Sequence, residues 1–206
     1  FSGGALATDK VSNTVTTAAT TYALKSKGVE LLALDVNGAG STTVSLAAAT
    51  GVTSVAVDLA ATAVAAVTIS NVGSEVITVE NAHNGDDTVI ATLVSSTGSA
   101  DTVAFKNGAS NAAGLKLQTT DIETVTINND NATSLDLSLL SMATAGETMG
   151  LTVTGKTALT VTALGTDVNT IDASGMAVGG SFVQTGRTST AASTYTGSDG
   201  DDTFIM

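Results

Sequence analysis

Along most of the chain, pairs of apolar residues flanking one polar or small residue recur at intervals of about ten to twelve residues. They run from Leu32/Leu34 through Val44/Leu46, Val55/Val57, Val67/Ile69 and Ile77/Val79 to Val89 with Ala91. The series continues with Val103/Phe105, Leu115/Leu117, Val125/Ile127, Leu135/Leu137, Leu151/Val153, Leu159/Val161 and Ile171 with Ala173. A period of two over windows this short, in segments rich in Val, Ile and Thr, predicts short strands with one buried face. The chain reads as all-β, and its 206 residues fit one domain or two small ones.

A finer template repeats. Residues 29–35, 52–58, 64–70 and 122–128 each begin with an apolar residue, take a polar or small step, present the dyad and leave through Asp, Asn or Ser. Two architectures accept strands at this spacing: an antiparallel β-sandwich, or a parallel β-solenoid with about two strands per rung of roughly 22 residues. Composition favours the solenoid. Aromatic residues are only 3% of the chain, and Trp and Pro are absent. Stacked rungs place like residues over like, and a narrow interior suits aliphatic side chains and Thr methyls. Sandwich cores usually hold large aromatics, and their turns use Pro or Asn-Gly. Stacked Thr or Asn residues are expected to form hydrogen-bond ladders. The solenoid is assigned to residues 29–196. Residues 1–28 are read as an N-terminal cap or linker, because Asn13–Lys27 could form a short helix or a cap over an open edge.

Charge and composition exclude several functions. Nineteen acidic side chains against seven basic ones give a net charge of −12, which disfavours nucleic acid, whose binding rests on Lys and Arg at phosphates. No Cys is present, so disulfides and thiolate chemistry are excluded, and His83 is the only imidazole, so one chain cannot build a multi-histidine zinc site. Charged residues are only 13% and mean hydropathy is +0.33, which is not the signature of disorder. The longest apolar stretch, Ala56–Ile69, is interrupted by Asp58, Thr62 and Thr68 and falls short of the roughly 20 residues of a membrane helix. No leader pattern is visible after Phe1, so the sequence is read as a processed or excised piece.

The sharpest local signal is an acidic word. Gly197-Ser198-Asp199-Gly200-Asp201-Asp202-Thr203-Phe204-Ile205 follows the nonapeptide G-G-x-G-x-D-x-U-x, with Ser198 at the second glycine. Asn84-Gly85-Asp86-Asp87-Thr88-Val89 repeats its second half, and Gly98-Ser99-Ala100-Asp101-Thr102-Val103 is an eroded third copy. Glycines permit left-handed turns that aim carbonyls inward, and Asp supplies the hard oxygen that Ca²⁺ prefers. The candidate calcium ligands are therefore Gly197, Asp199, Gly200, Asp201 and Asp202, with Asn84, Gly85, Asp86, Asp87 and Asp101 at the other copies. The apolar residue two places after the last Asp is expected to begin a strand and face the core. One turn supplies half a site, since calcium in tandem repeats lies between successive turns. The competing reading makes these residues solvated turn acids leading into strands. His83 reads as an exposed turn residue rather than a base. An enzyme is not expected: Arg187, Tyr22 and Tyr195 are scattered and form no sugar-gripping platform.

The richness in Thr, Ala, Ser, Val and Gly, the absence of Cys, and the stretches Ile122–Ile127, Thr170–Gly175 and Gly197–Phe204 resemble bacterial surface-layer (S-layer) proteins of the repeats-in-toxin (RTX) type. The resemblance implies a secreted structural protein, exported by a type I system, that binds Ca²⁺ outside the cell and self-assembles into a lattice on the cell surface. Its partners would be copies of itself and, through other segments, cell-surface polysaccharide or lipopolysaccharide. Residues 197–206 would then start an RTX-like calcium-binding turn. The alternative function is a secreted RTX adhesin or carbohydrate-binding module.

Overall fold

The computed structural model describes residues 9–16, 21–37, 40–59, 65–82, 87–111, 114–131, 133–187 and 193–205. Among the described residues, eighteen strands alternate between two sheets of nine. The first sheet holds β1 (Lys10–Val15), β3 (Leu31–Val36), β5 (Ser54–Leu59), β7 (Val76–Ala82), β9 (Thr102–Asn111), β11 (Thr124–Asn129), β13 (Met149–Gly155), β15 (Val168–Met176) and β17 (Thr194–Thr196). The second holds β2 (Thr21–Lys27), β4 (Gly40–Thr50), β6 (Ala65–Val72), β8 (Thr88–Leu93), β10 (Leu115–Thr120), β12 (Thr133–Ser141), β14 (Leu159–Leu164), β16 (Phe182–Gln184) and β18 (Thr203–Phe204). Odd strands pair only with odd and even with even, and every pairing between strands is parallel. This is a β-solenoid, and the antiparallel sandwich is excluded.

The rung length follows from the geometry of parallel pairing. A parallel neighbour requires a crossover of a dozen or more residues, and here the crossover is a strand of the opposite sheet with a corner on each side. Lys10 pairs with Leu31, Leu31 with Ser54 and Ser54 with Val76, giving steps of 21, 23 and 22 residues. Gly150 to Thr170 spans 20 residues and Val76 to Ala104 spans 28, so extra length goes into corners while strands keep register. Thr21–Lys27, for which a helix or cap was open, is a strand in register with β4. The solenoid therefore includes β1 and β2 on the N-terminal side and reaches β18 on the C-terminal side.

The dyads are the inner faces of the strands. Leu32, Val55, Ile77, Phe105, Ile127 and Val153 are successive register partners, and all are buried. The opposite sheet contributes Val67, Val89, Leu117, Leu135 and Val161 to the same buried cluster. Only two aromatic rings, Phe105 and Phe182, are fully buried among the described residues. Aliphatic side chains stacked at one height fill most of the thin two-layer core.

Corners leading into the first sheet have a chemistry of their own. Gly28-Val29-Glu30, Gly51-Val52-Thr53 and Asp121-Ile122-Glu123 each place a residue of positive φ (61°, 91° and 64°), then a buried aliphatic, then an acid or hydroxyl residue, directly before a strand. The left-handed residue reverses the chain, a conformation Gly adopts freely and Asp tolerates. Its N–H donates to the next rung, Gly28 to Thr50 O at 3.0 Å and Asp121 to Ser141 O at 2.9 Å. The aliphatic residue closes the end of the core.

One buried polar ladder interrupts the apolar columns. Asn107 and Asn129 are register partners on β9 and β11, 3% and 0% exposed. Asn107 Nδ2 donates to Asn129 Oδ1 at 2.6 Å, and Asn129 Nδ2 donates onward to Thr157 Oγ1 and to the carbonyls of Thr157 and Ala158 at 3.0–3.2 Å. Thr157 Oγ1 donates back to Asn129 O at 3.0 Å. A buried amide is tolerated only when its donors and acceptors are satisfied, and the stacked register satisfies them.

Candidate functional site

The three acidic words share one local role. Asp87, Asp101 and Asp202 each immediately precede a strand, β8, β9 and β18. The apolar residue two places later points inward as expected: Val89 and Val103 are buried, and Phe204 packs against the core. They do not converge on one site. Asp87 and Asp202 lie five strand intervals apart in the second sheet, roughly 24 Å at ordinary spacing, and Asp101 leads into the other sheet. His83, Asn84, Gly85 and Asp86 lie outside the described residues. Asp87 itself is fully buried.

At the C-terminal turn Asp202 is the organising group. Its Oδ1 accepts the Phe182 N–H of the preceding rung at 2.7 Å, and its Oδ2 accepts the Ser198 N–H at 2.6 Å. Ser198 Oγ lies 2.9 and 3.2 Å from the two carboxylate oxygens and 3.0 Å from Gly180 O, and it accepts the Gly200 N–H at 3.1 Å. Asp199 and Asp201 are exposed. The glycines act differently from the expectation of left-handed geometry. Neither Gly197 nor Gly200 has a positive φ. A Cβ at Gly200 would lie 2.2 Å from Gly180 O, and one at Gly197 would lie 2.5 Å from Asp202 Oδ2. At Gly200 the close approach of the neighbouring rung's backbone requires glycine, whereas the nearest atoms to Gly197 belong to the Asp202 side chain.

The same use of carboxylates extends along one edge of the solenoid. Six of the nine strands of the first sheet are immediately preceded by an acid: Asp9, Glu30, Glu75, Asp101, Glu123 and Asp167. Several clamp main-chain amides of the rung below. Asp9 N–H donates to Glu30 at 2.8 Å, Asp101 N–H to Glu123 at 2.7 Å and Met142 N–H to Asp167 at 2.9 Å. Others close their own corner, as Asp101 does by accepting the Gly98 N–H at 3.2 Å. Hydrogen bonds to an ionised acceptor are the stronger kind, and they take up corner N–H groups that have no strand partner. The amide-clamping roles of Glu30, Glu123 and Asp167 were missed from sequence. The signal was present as an acid placed directly before a strand at rung spacing.

Asp172 shows how acids shape a strand. On β15 its Oδ1 accepts the Ser174 hydroxyl at 2.6 Å and the Ser174 N–H at 3.0 Å, next to a shift of register between β13 and β15. These two hydrogen bonds, the hydroxyl first, hold its pKa below the ordinary carboxylate value, against a small opposing effect of burial. A carboxylate depressed in the folded state stabilises at neutral pH, and that contribution fades as pH falls through the folded pKa. In an NMR titration Asp172 is expected to protonate below the usual Asp range, and Ser174→Ala is expected to move its midpoint upward. An unchanged midpoint in the variant would refute this origin of the shift.

Among the described residues no three acidic or imidazole groups converge as metal ligands. Asp202 already receives an N–H donor on each oxygen. The residues at 197–202 fit a full calcium shell only with oxygens from a further turn.

Among the described residues no helix is long and apolar enough to cross a membrane. The fold defines a β-solenoid protein. Comparison with known proteins finds no matching family model, no similar curated protein and no similar solved structure.

Proposed function

We propose that this chain is a structural segment of a secreted bacterial surface-layer protein of the RTX type, which self-assembles with calcium into a lattice on the cell. The reading is supported chiefly by the outer faces of the solenoid. Register partners there form rows of small side chains, Ser12-Ala33-Ala56-Thr78 along a shallow concave stretch of one sheet and Thr21-Thr43-Thr68 on the other. Such faces pack side by side with little loss of side-chain entropy. The strongly acidic balance keeps the exported chain soluble, and divalent cations relieve carboxylate repulsion when copies approach. Its partners are then other copies of itself, with surface polysaccharide or lipopolysaccharide held through other segments.

Electron microscopy of the purified protein at rising concentration, with millimolar calcium and with chelator, tests this. Ordered two-dimensional arrays that form with calcium and dissolve in chelator are the expected result. A chain that stays monomeric in calcium, or arrays indifferent to chelator, would overturn it. Glycan binding by the monomer would favour an adhesin or carbohydrate-binding module instead.

A further inference from the structure

We propose that the C-terminal turn is closed by Ser198 in place of a cation, so that this end of the solenoid orders without calcium. The nonapeptide word has glycine where this chain has Ser198, and a glycine there brings no side chain. Here the hydroxyl oxygen sits at the centre of the turn. It is within hydrogen-bond distance of both Asp202 oxygens and of Gly180 O in the rung below, and it accepts from Gly200 N–H. A hydroxyl has one hydrogen and two lone pairs, so that hydrogen serves either the carboxylate or the Gly180 carbonyl while a lone pair takes the amide. The Ser198 and Phe182 amides supply Asp202 with one donor on each oxygen.

A carboxylate and an inward carbonyl held around one point are the oxygens a divalent ion would gather. Ser198 donates its one hydrogen to one of these oxygens and takes the Gly200 amide on a lone pair. The packing beneath agrees, because Phe204, which follows the turn, stacks on Phe182 at 5.5 Å and meets Tyr195 at 4.7 Å. Arg187 and Tyr195, read from sequence as scattered, meet here: Arg187 lies over the Tyr195 ring and donates to its hydroxyl and to Val168 O. Ordering of the turn therefore has an apolar as well as a polar source within the chain. Calcium dependence of assembly, where it exists, belongs to contacts between copies or to other segments.

Amide hydrogen exchange on the whole chain, in chelator and in millimolar calcium chloride, reads this directly. The Ser198, Gly200 and Phe182 amides are expected to be equally protected in both conditions. Ser198→Ala is expected to raise their exchange by about tenfold or more in chelator, and Ser198→Thr, which keeps the hydroxyl, is expected to retain most of the protection. Protection that appears in the parent chain only with calcium, together with one bound ion lost in Asp202→Asn, would overturn the proposal. So would Ser198→Ala exchanging like the parent in chelator. The array experiment has a separate readout, so either proposal can fail without the other.

Discussion

Gly155→Ala is expected to destabilise the solenoid by about 4 kcal/mol, measured as a fall in the midpoint of denaturant unfolding. Gly155 ends β13 with φ at 109°, where an L side chain is strained. A Cβ there would lie 2.2 Å from Asn129 O and 2.6 Å from Asn129 N, and both are backbone atoms that cannot swing aside. Relief would require parting β11 from β13 at the point where the asparagine ladder crosses between them. A midpoint within the error of the parent would show that the rungs can separate there at little cost.

Asn129→Ala is expected to cost about 3 kcal/mol. The substitution removes the acceptor of Asn107 and strips Thr157 and Ala158 of a donor, deep in a core that offers no replacement. Asn107 keeps a bond to Asn131 O at 3.3 Å, so the loss stops short of the full penalty for an orphaned amide. In a solenoid each rung contacts mainly its neighbours, and a weakened junction divides the cooperative unit. Unfolding in two steps, with residues before β11 separating from those after β13, is the expected signature in residue-level exchange. A single unshifted transition would refute the ladder's role as the coupling between rungs. Gly155 and Asn129 touch, so their effects should not add.

The architecture was legible because its main determinant is one-dimensional. Dyads such as Val55/Val57 and Val125/Ile127 recur at half-rung spacing, and the scarcity of rings leaves a thin core as the natural solution. Thr21–Lys27 was harder. Its inner residues Tyr22, Leu24 and Ser26 do alternate, but the Thr- and Ala-rich residues before them mask the period. The corners were legible in part. The Asp-Thr-apolar word marks the start of a strand wherever it is described, yet whether its acid holds a metal or an amide depends on which N–H groups the rung below presents. That is fixed by stacking, as with Phe182 and Asp202, and no local pattern contains it. The requirement for glycine at Gly200 likewise arises from Gly180, a partner one rung away.

Main-chain hydrogen bonds in both sheets run along the long axis of the coil, while the covalent chain winds around it. Tension along the axis therefore loads the bonds between one pair of rungs after another and peels the molecule turn by turn. Tension across the axis is borne by the polypeptide itself. An assembly of such units would be compliant in one direction and stiff in the other, and the orientation of each unit would set how the whole yields under load.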